Sequence, residues 1–345
     1  MKVILHLGMP KCGSSALQSF FSSKQLIDIT TPKIAYAAMH KEGKLFYGGE
    51  LLKSAKKSAH GHISSHNYQQ LSIAPHAEKE RVKESFVELT KKYELVILSN
   101  EGWGPNPQHF EDDFPFFLEK CHDVEVEVEA IIYLRPQIEW LNSAWWQWGA
   151  WSDLGLEQWL ERNKKKACWY ELIQQWSKKT WIKKLHVKLL PDDILEDFTG
   201  ILGINNPETG RSNQSLPGSL LRFFQKHRDL RPTQHASAIE FVLARHLDFE
   251  PQKTPWVLNL DTVDDLLRYY SDSNEKLKEI FIDDAEQYRK LVADTRWWDL
   301  DYYRTKTVSL ENDVEIPTQD LESMLHSAFE AIVKLDNKIR KLQSK

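Results

Sequence analysis

The segment Gly8-Met9-Pro10-Lys11-Cys12-Gly13-Ser14-Ser15 is the first in this chain whose residue types and spacing could do chemistry. Two glycines five positions apart, followed by hydroxyl residues, match the frame of a phosphate-cradling loop, G-x-x-x-x-G-K-[ST]. Such a loop turns backbone N–H groups and the positive end of a helix toward anionic oxygens. The lysine is displaced, however. Ser14 stands where the frame places it, and Lys11 lies inside the loop. In a nucleoside triphosphatase the lysine after the second glycine reaches the β- and γ-phosphates, and the next hydroxyl holds magnesium. This chain lacks that lysine and any clear strand ending in a magnesium-binding aspartate. The loop therefore suits a shorter anionic tail, and no metal is expected. A phosphoryl-transfer enzyme is the alternative that metal-dependent ATP turnover would revive.

Two more groups stand at the ends of apolar runs. Tyr133-Leu134-Arg135 closes one run, and Ser143 follows eight residues on. Arginine offers a planar fork of donors matched to phosphate, and a serine two helical turns later adds one hydroxyl over the same strand end. Leu98-Ser99-Asn100-Glu101-Gly102-Trp103 closes the other run with a carboxylate in a glycine-flanked loop. The carboxyl edge of a parallel sheet is where α/β active sites form, so Glu101 is a candidate site residue. His6, mid-strand, is expected to be a buried, hydrogen-bonded core residue. Of the tryptophans, nine of which fall between 140 and 181, most belong in the core. Trp103 is the one expected to line an acceptor cleft. The triplet Lys164-Lys165-Lys166 reads as a solvated face.

The elements that must position these groups follow from hydrophobic patterning. Residues 3–7, 95–98, 130–134 and 185–190 read as buried strands, and 14–24, 81–93 and 137–148 as helices. Alternation of this kind predicts an α/β fold, a parallel sheet flanked by helices. Residues 40–80 look like a polar insertion, and from about 215 the pattern becomes largely helical. The expected organisation is an α/β domain over 1–280 and a helical extension over 281–345. The last helix carries Leu321, Leu325, Ala328, Ile332, Leu335, Ile339 and Leu342, a four-three spacing over three heptads. It is read either as packing on its own domain or as a homodimer contact.

Charge and cysteine usage narrow the setting. With 45 basic and 50 acidic residues the net charge is −5, which argues against a protein devoted to nucleic acid. No run of eighteen apolar residues is present, so no transmembrane segment is expected. The opening residues show no secretory leader. Cys12, Cys121 and Cys168 are too few and scattered for a disulfide scaffold or structural zinc. A cytoplasmic location is the expectation.

The loop, with Leu5-His6-Leu7 before it and Ala16-Leu17-Gln18 after, resembles the 5′-phosphosulfate loop of sulfotransferases, bacterial members especially. Tyr133-Leu134-Arg135-Pro136-Gln137, Trp140, Ser143 and Gln147-Trp148 resemble the same family's second motif. Cys12 departs from the pattern where a hydroxyl residue is usual, which is tolerable if the position contributes its backbone N–H. Pro136 departs where a polar residue is usual. Weaker landmarks include Asn213-Gln214-Ser215-Leu216-Pro217 and Ser273-Asn274, so the likeness spans residues 1 to about 280. It implies the P-loop-like sulfotransferase fold and a donor, 3′-phosphoadenosine 5′-phosphosulfate. Lys11, Cys12, Gly13, Ser14 and Ser15 would hold its 5′ end, and Arg135 and Ser143 its 3′-phosphate. Lys11 and Glu101 would be catalytic, because Glu101 occupies the family's catalytic slot, where glycan-modifying members use glutamate as base. The acceptor would be a hydroxyl, on a glycan or glycolipid above all. The further alternative is a catalytically silent module that binds the desulfated nucleotide.

Overall fold

The apolar run at the N-terminus forms β1 (Lys2–Leu7), whose last five residues are buried. Continuous burial rather than alternation marks a strand covered on both faces, as parallel sheets require. The computed structural model describes residues 1–23, 34–40, 44–65, 76–110, 126–204, 217–234, 236, 238–247, 254–306 and 318–343. Cys121, residues 66–75 of the polar insertion and the segment 213–216 lie outside them.

After β1 come α1 (Ser14–Phe21), β2 (Ile34–His40), β3 (Lys44–Tyr47), α2 (Gly48–Lys57) and α3 (His76–Lys92). There follow β4 (Leu95–Asn100), β5 (Glu127–Leu134), α4 (Gln137–Gln147), α5 (Leu156–Asn163), α6 (Trp169–Ser177) and β6 (Lys184–Leu189). The six strands form one sheet in the order β3-β2-β4-β1-β5-β6. All neighbours are parallel except the edge strand β3, which runs antiparallel to β2. The α/β architecture with flanking helices is thus present. The four strands read from the sequence are β1, β4, β5 and β6, and β2, β3 and α2 were not foreseen. The segment taken as insertion therefore supplies β3 and α2 as well as polar loop.

The remaining helices are α7 (Ile194–Ile201), α8 (Gly218–Lys226), α9 (Ala238–His246), α10 (Leu260–Ile280), α11 (Ala285–Ala293), α12 (Leu300–Tyr303) and α13 (Thr318–Gln343). Asp193 caps α7 by accepting the N–H groups of Leu195 and Glu196. Residues 281–303 continue the same core. Phe281, Leu291, Trp297 and Tyr303 belong to it, and Gln287 on α11 accepts the Leu189 N–H of β6 at 2.8 Å. No helix among the described residues is long and apolar enough to cross a membrane.

Candidate active site

β1 lies between β4 and β5, and all three run in the same direction. Their carboxyl ends open side by side, at the point where successive crossovers change from one flank of β1 to the other. Crevices at such switch points are where open α/β sheets bind ligands. The glycine loop leaves β1 here, Glu101 leaves β4, and Arg135 leaves β5.

The loop is closed by the Cys12 N–H, which donates to the Met9 carbonyl at 3.2 Å. Gly13 caps α1 at φ 81°, left-handed backbone that glycine adopts without strain. Its carbonyl accepts the N–H groups of Ala16 and Leu17. The N–H groups of Ser14 and Ser15, in the first turn, have no intrahelical acceptor and are the ones available to an anion. Ser14 is buried and its hydroxyl donates to the Met9 carbonyl at 3.4 Å. The Cys12 side chain is buried too, and burial above all pushes its thiol up to about 12. Its N–H serves the turn, so the contribution expected of that group is made to the loop itself.

Lys11 sits at φ 59°, the one non-glycine residue in the left-handed region among the described residues. Its peptide is gripped from both neighbouring strands. The Lys11 N–H donates to Glu101 Oε1 at 3.3 Å, and Arg135 Nη1 donates to the Lys11 carbonyl at 3.2 Å. Residues 90 and 124 positions away thus fix one loop residue in a conformation it would not choose. Arg135 also meets Glu139 at 3.5 Å, and Glu139 meets Arg296 at 3.4 Å.

Lys11 is exposed at its surface yet surrounded by protein. Desolvation lowers its ammonium pKa, Glu101 opposes this, and Arg135 and Arg231 add to it. The Glu101 carboxyl is raised above the ordinary carboxylate range, by desolvation first, against the opposing pull of Lys11 and Gln147. A carboxylate of raised pKa beside a cation of lowered pKa can exchange a proton with a bound hydroxyl while the cation faces developing negative charge.

Ser143 is buried on α4, two turns beyond Arg135, and no hydrogen bond joins the two among the described residues. Three indoles tie the site's loops to the helices. Trp140 donates to the Pro10 carbonyl at 2.8 Å, Trp169 to Arg135 at 2.8 Å and Trp176 to Gly104 at 2.9 Å.

Trp103 does not line a cleft, contrary to the expectation from its loop. It is fully buried, edge-to-face on Phe110 at 5.5 Å. His6 lies in the sheet core with Nδ1 2.8 Å from Ser99 Oγ, and burial lowers its pKa to about 3. Ser99 also accepts from Gln18 Nε2 at 3.1 Å, so its hydroxyl is committed inside the fold.

Two more residues adjoin the site: Gln147, which the sequence marks only as part of the second motif, and Arg231, which it does not mark at all. Gln147, the last residue of α4, lies beside Glu101 and favours its ionised form, and its carbonyl accepts from Arg231 Nη2 at 2.8 Å. Arg231 is buried over the Trp151 ring at 4.0 Å, pairs with Glu240, and adds positive potential at Lys11. Among the described residues, no group of three or more His, Cys, Asp or Glu side chains is arranged to hold a metal ion. Compared with protein-family models, curated proteins and solved structures, the chain matches none.

Proposed function

We propose that this chain is a sulfotransferase, moving a sulfuryl group from 3′-phosphoadenosine 5′-phosphosulfate to a hydroxyl on a glycan or glycolipid. The observation that carries the reading is the two-sided grip on Lys11: the loop lysine, Glu101 and Arg135 meet at one switch point. The residues fit such a donor. The first-turn N–H groups of Ser14 and Ser15 would hold the 5′ oxygens, and Arg135, with Ser143 behind it, the remote phosphate. The resemblance of both motifs to the P-loop-like sulfotransferases supports the same assignment. Cys12 and Cys168 are free thiols, in keeping with a reducing, cytoplasmic setting.

In the reaction, Glu101 accepts the proton of the acceptor hydroxyl as that oxygen bonds to sulfur. The bond from sulfur to the 5′-phosphate oxygen breaks, and its electron pair stays on that oxygen. Lys11 faces the charge that develops there. Gln147 favours the ionised form of Glu101, and the buried Arg231 biases the crevice toward anions.

Full-length protein incubated with ³⁵S-labelled donor and a panel of sugars, glycolipids and simple alcohols should label an acceptor and release the bisphosphate nucleotide. Tight nucleotide binding without transfer to any acceptor would identify a silent binding module instead. Magnesium-dependent ATP turnover would replace the proposal with phosphoryl transfer.

A further inference from the structure

The helix α13 runs for 26 residues, about 39 Å at 1.5 Å per residue. Fourteen large apolar side chains are exposed among the described residues, and seven of them are on this helix. Leu325 is 54% and Ile332 61% exposed, while Met324 packs on the core and Ala331 is buried. Met324 and Ala331 are one heptad apart, so the helix meets the body along one stripe and turns the neighbouring apolar stripe outward. Docking on its own domain therefore does not account for the heptad pattern. In the seam Leu321, Leu325, Ile332, Leu335 and Ile339 are exposed and Ala328 is half-buried, and among the described residues no helix covers them.

We infer that the partner is α13 of a second copy of this chain, packed antiparallel. From Leu321 to Ile339 the seam is palindromic about Glu330. When the two helices are reversed on each other, Leu321 falls opposite Ile339, Leu325 opposite Leu335 and Ala328 opposite Ile332, and each pair occurs twice. This is the relation a two-fold, self-complementary interface requires. The small Ala328 faces the large Ile332, so the two central layers have equal volume. Charge selects the same direction. Residues 318–329 carry Asp320 and Glu322 and no lysine or arginine, whereas 331–343 carry Lys334, Lys338, Arg340 and Lys341 against Asp336. Reversal brings the acidic half of each helix to the basic half of the other and opposes the two helix dipoles. A parallel pair would set like against like.

Light scattering on the full chain should give about twice its 40.4 kDa mass. Ile332→Asp replaces an exposed side chain, so it should leave the circular dichroism unchanged and halve that mass. Wild-type protein that is monomeric overturns the proposal, whether its own residues or another protein cover the seam. An Ile332→Asp protein that stays dimeric overturns it as well, by placing the interface elsewhere. Direction is read by oxidative cross-linking, scored above the wild-type cysteine background. Mixed Leu321→Cys and Ile339→Cys chains should cross-link to each other. Efficient cross-linking within Leu321→Cys protein alone would show a parallel pair and overturn the arrangement.

Discussion

The Gly8 carbonyl accepts the Gly104 N–H at 3.3 Å, and a Cβ built on Gly104 would lie 3.0 Å from that oxygen and 2.5 Å from Met9 Sδ. The loop after β4 thus lies directly on the loop after β1, with no room for a side chain between them. Gly104→Ala should lift the Glu101 loop away and destabilise the fold by roughly 1–3 kcal/mol, the usual cost of overpacking. Denaturant unfolding measures it, and an unchanged midpoint would show that the two loops separate freely.

The strained backbone at Lys11 can be tested apart from its charge. Lys11→Ala and Lys11→Gly both remove the ammonium, but only glycine accepts φ 59° without cost. The glycine variant should be more stable than the alanine variant by roughly 1 kcal/mol, and both should lose turnover more than donor affinity. Equal stability would mean that the loop relaxes when the side chain is cut back.

Glu101→Gln keeps an acceptor for the Lys11 N–H but cannot take a proton. It should bind donor normally and slow transfer by about 10²–10⁴-fold. Because the Glu101 carboxyl is raised, the wild-type rate should fall on acidification at a pH above the ordinary carboxylate range. The same raised pKa means that the folded state holds the proton more tightly than the unfolded state. Ionised Glu101 therefore weakens the fold above its folded pKa, and the glutamine variant should be no less stable at neutral pH. A variant with near-normal kcat would exclude Glu101 as base.

Arg135→Ala should weaken binding of donor and desulfated product alike, by roughly 2–5 kcal/mol if the contact is desolvated. Calorimetry with and without the 3′-phosphate isolates the assignment. If the variant kept the wild-type preference for the 3′-phosphorylated form, Arg135 would be a loop anchor only, through the Lys11 carbonyl.

His6 predicts an acid limb in stability. Its pKa falls from 6.5 to about 3 on burial, so the folded state holds it neutral while the unfolded chain takes up the proton. The stability it contributes is full above 6.5 and is lost as pH drops toward 3, at up to about 1.4 kcal/mol per unit. Unfolding midpoints of His6→Asn should depend less steeply on pH across that window, and an unchanged slope would assign the limb to other groups.

The strands that carry the site were legible because each is an unbroken apolar run, from Val3-Ile4-Leu5 to Ala130-Ile131-Ile132. β2 was not, since Ile34-Ala35-Tyr36-Ala37-Ala38-Met39-His40 is alanine-rich and has one β-branched residue. β3 has four residues, too few for a period to show. Lys11, Glu101 and Arg135 were found from loop glycines and strand ends, which are local signals. Trp103 was misread because glycines beside it suggest an open loop, whereas Gly104 pins that loop under the Trp176 indole. Arg231 had no local signal, because its partners Gln147 and Glu240 and the Trp151 ring are brought to it only by folding.

Trp140, Trp169 and Trp176 hang the glycine loop, Arg135 and the Glu101 loop from α4 and α6 by single indole N–H bonds. The fold itself thus ties the walls of the crevice in place, which reduces the ordering entropy a ligand must overcome. The same three bonds place fluorophores one bond from each wall. Occupancy of the crevice should register directly in the intrinsic emission of the protein, with no label attached.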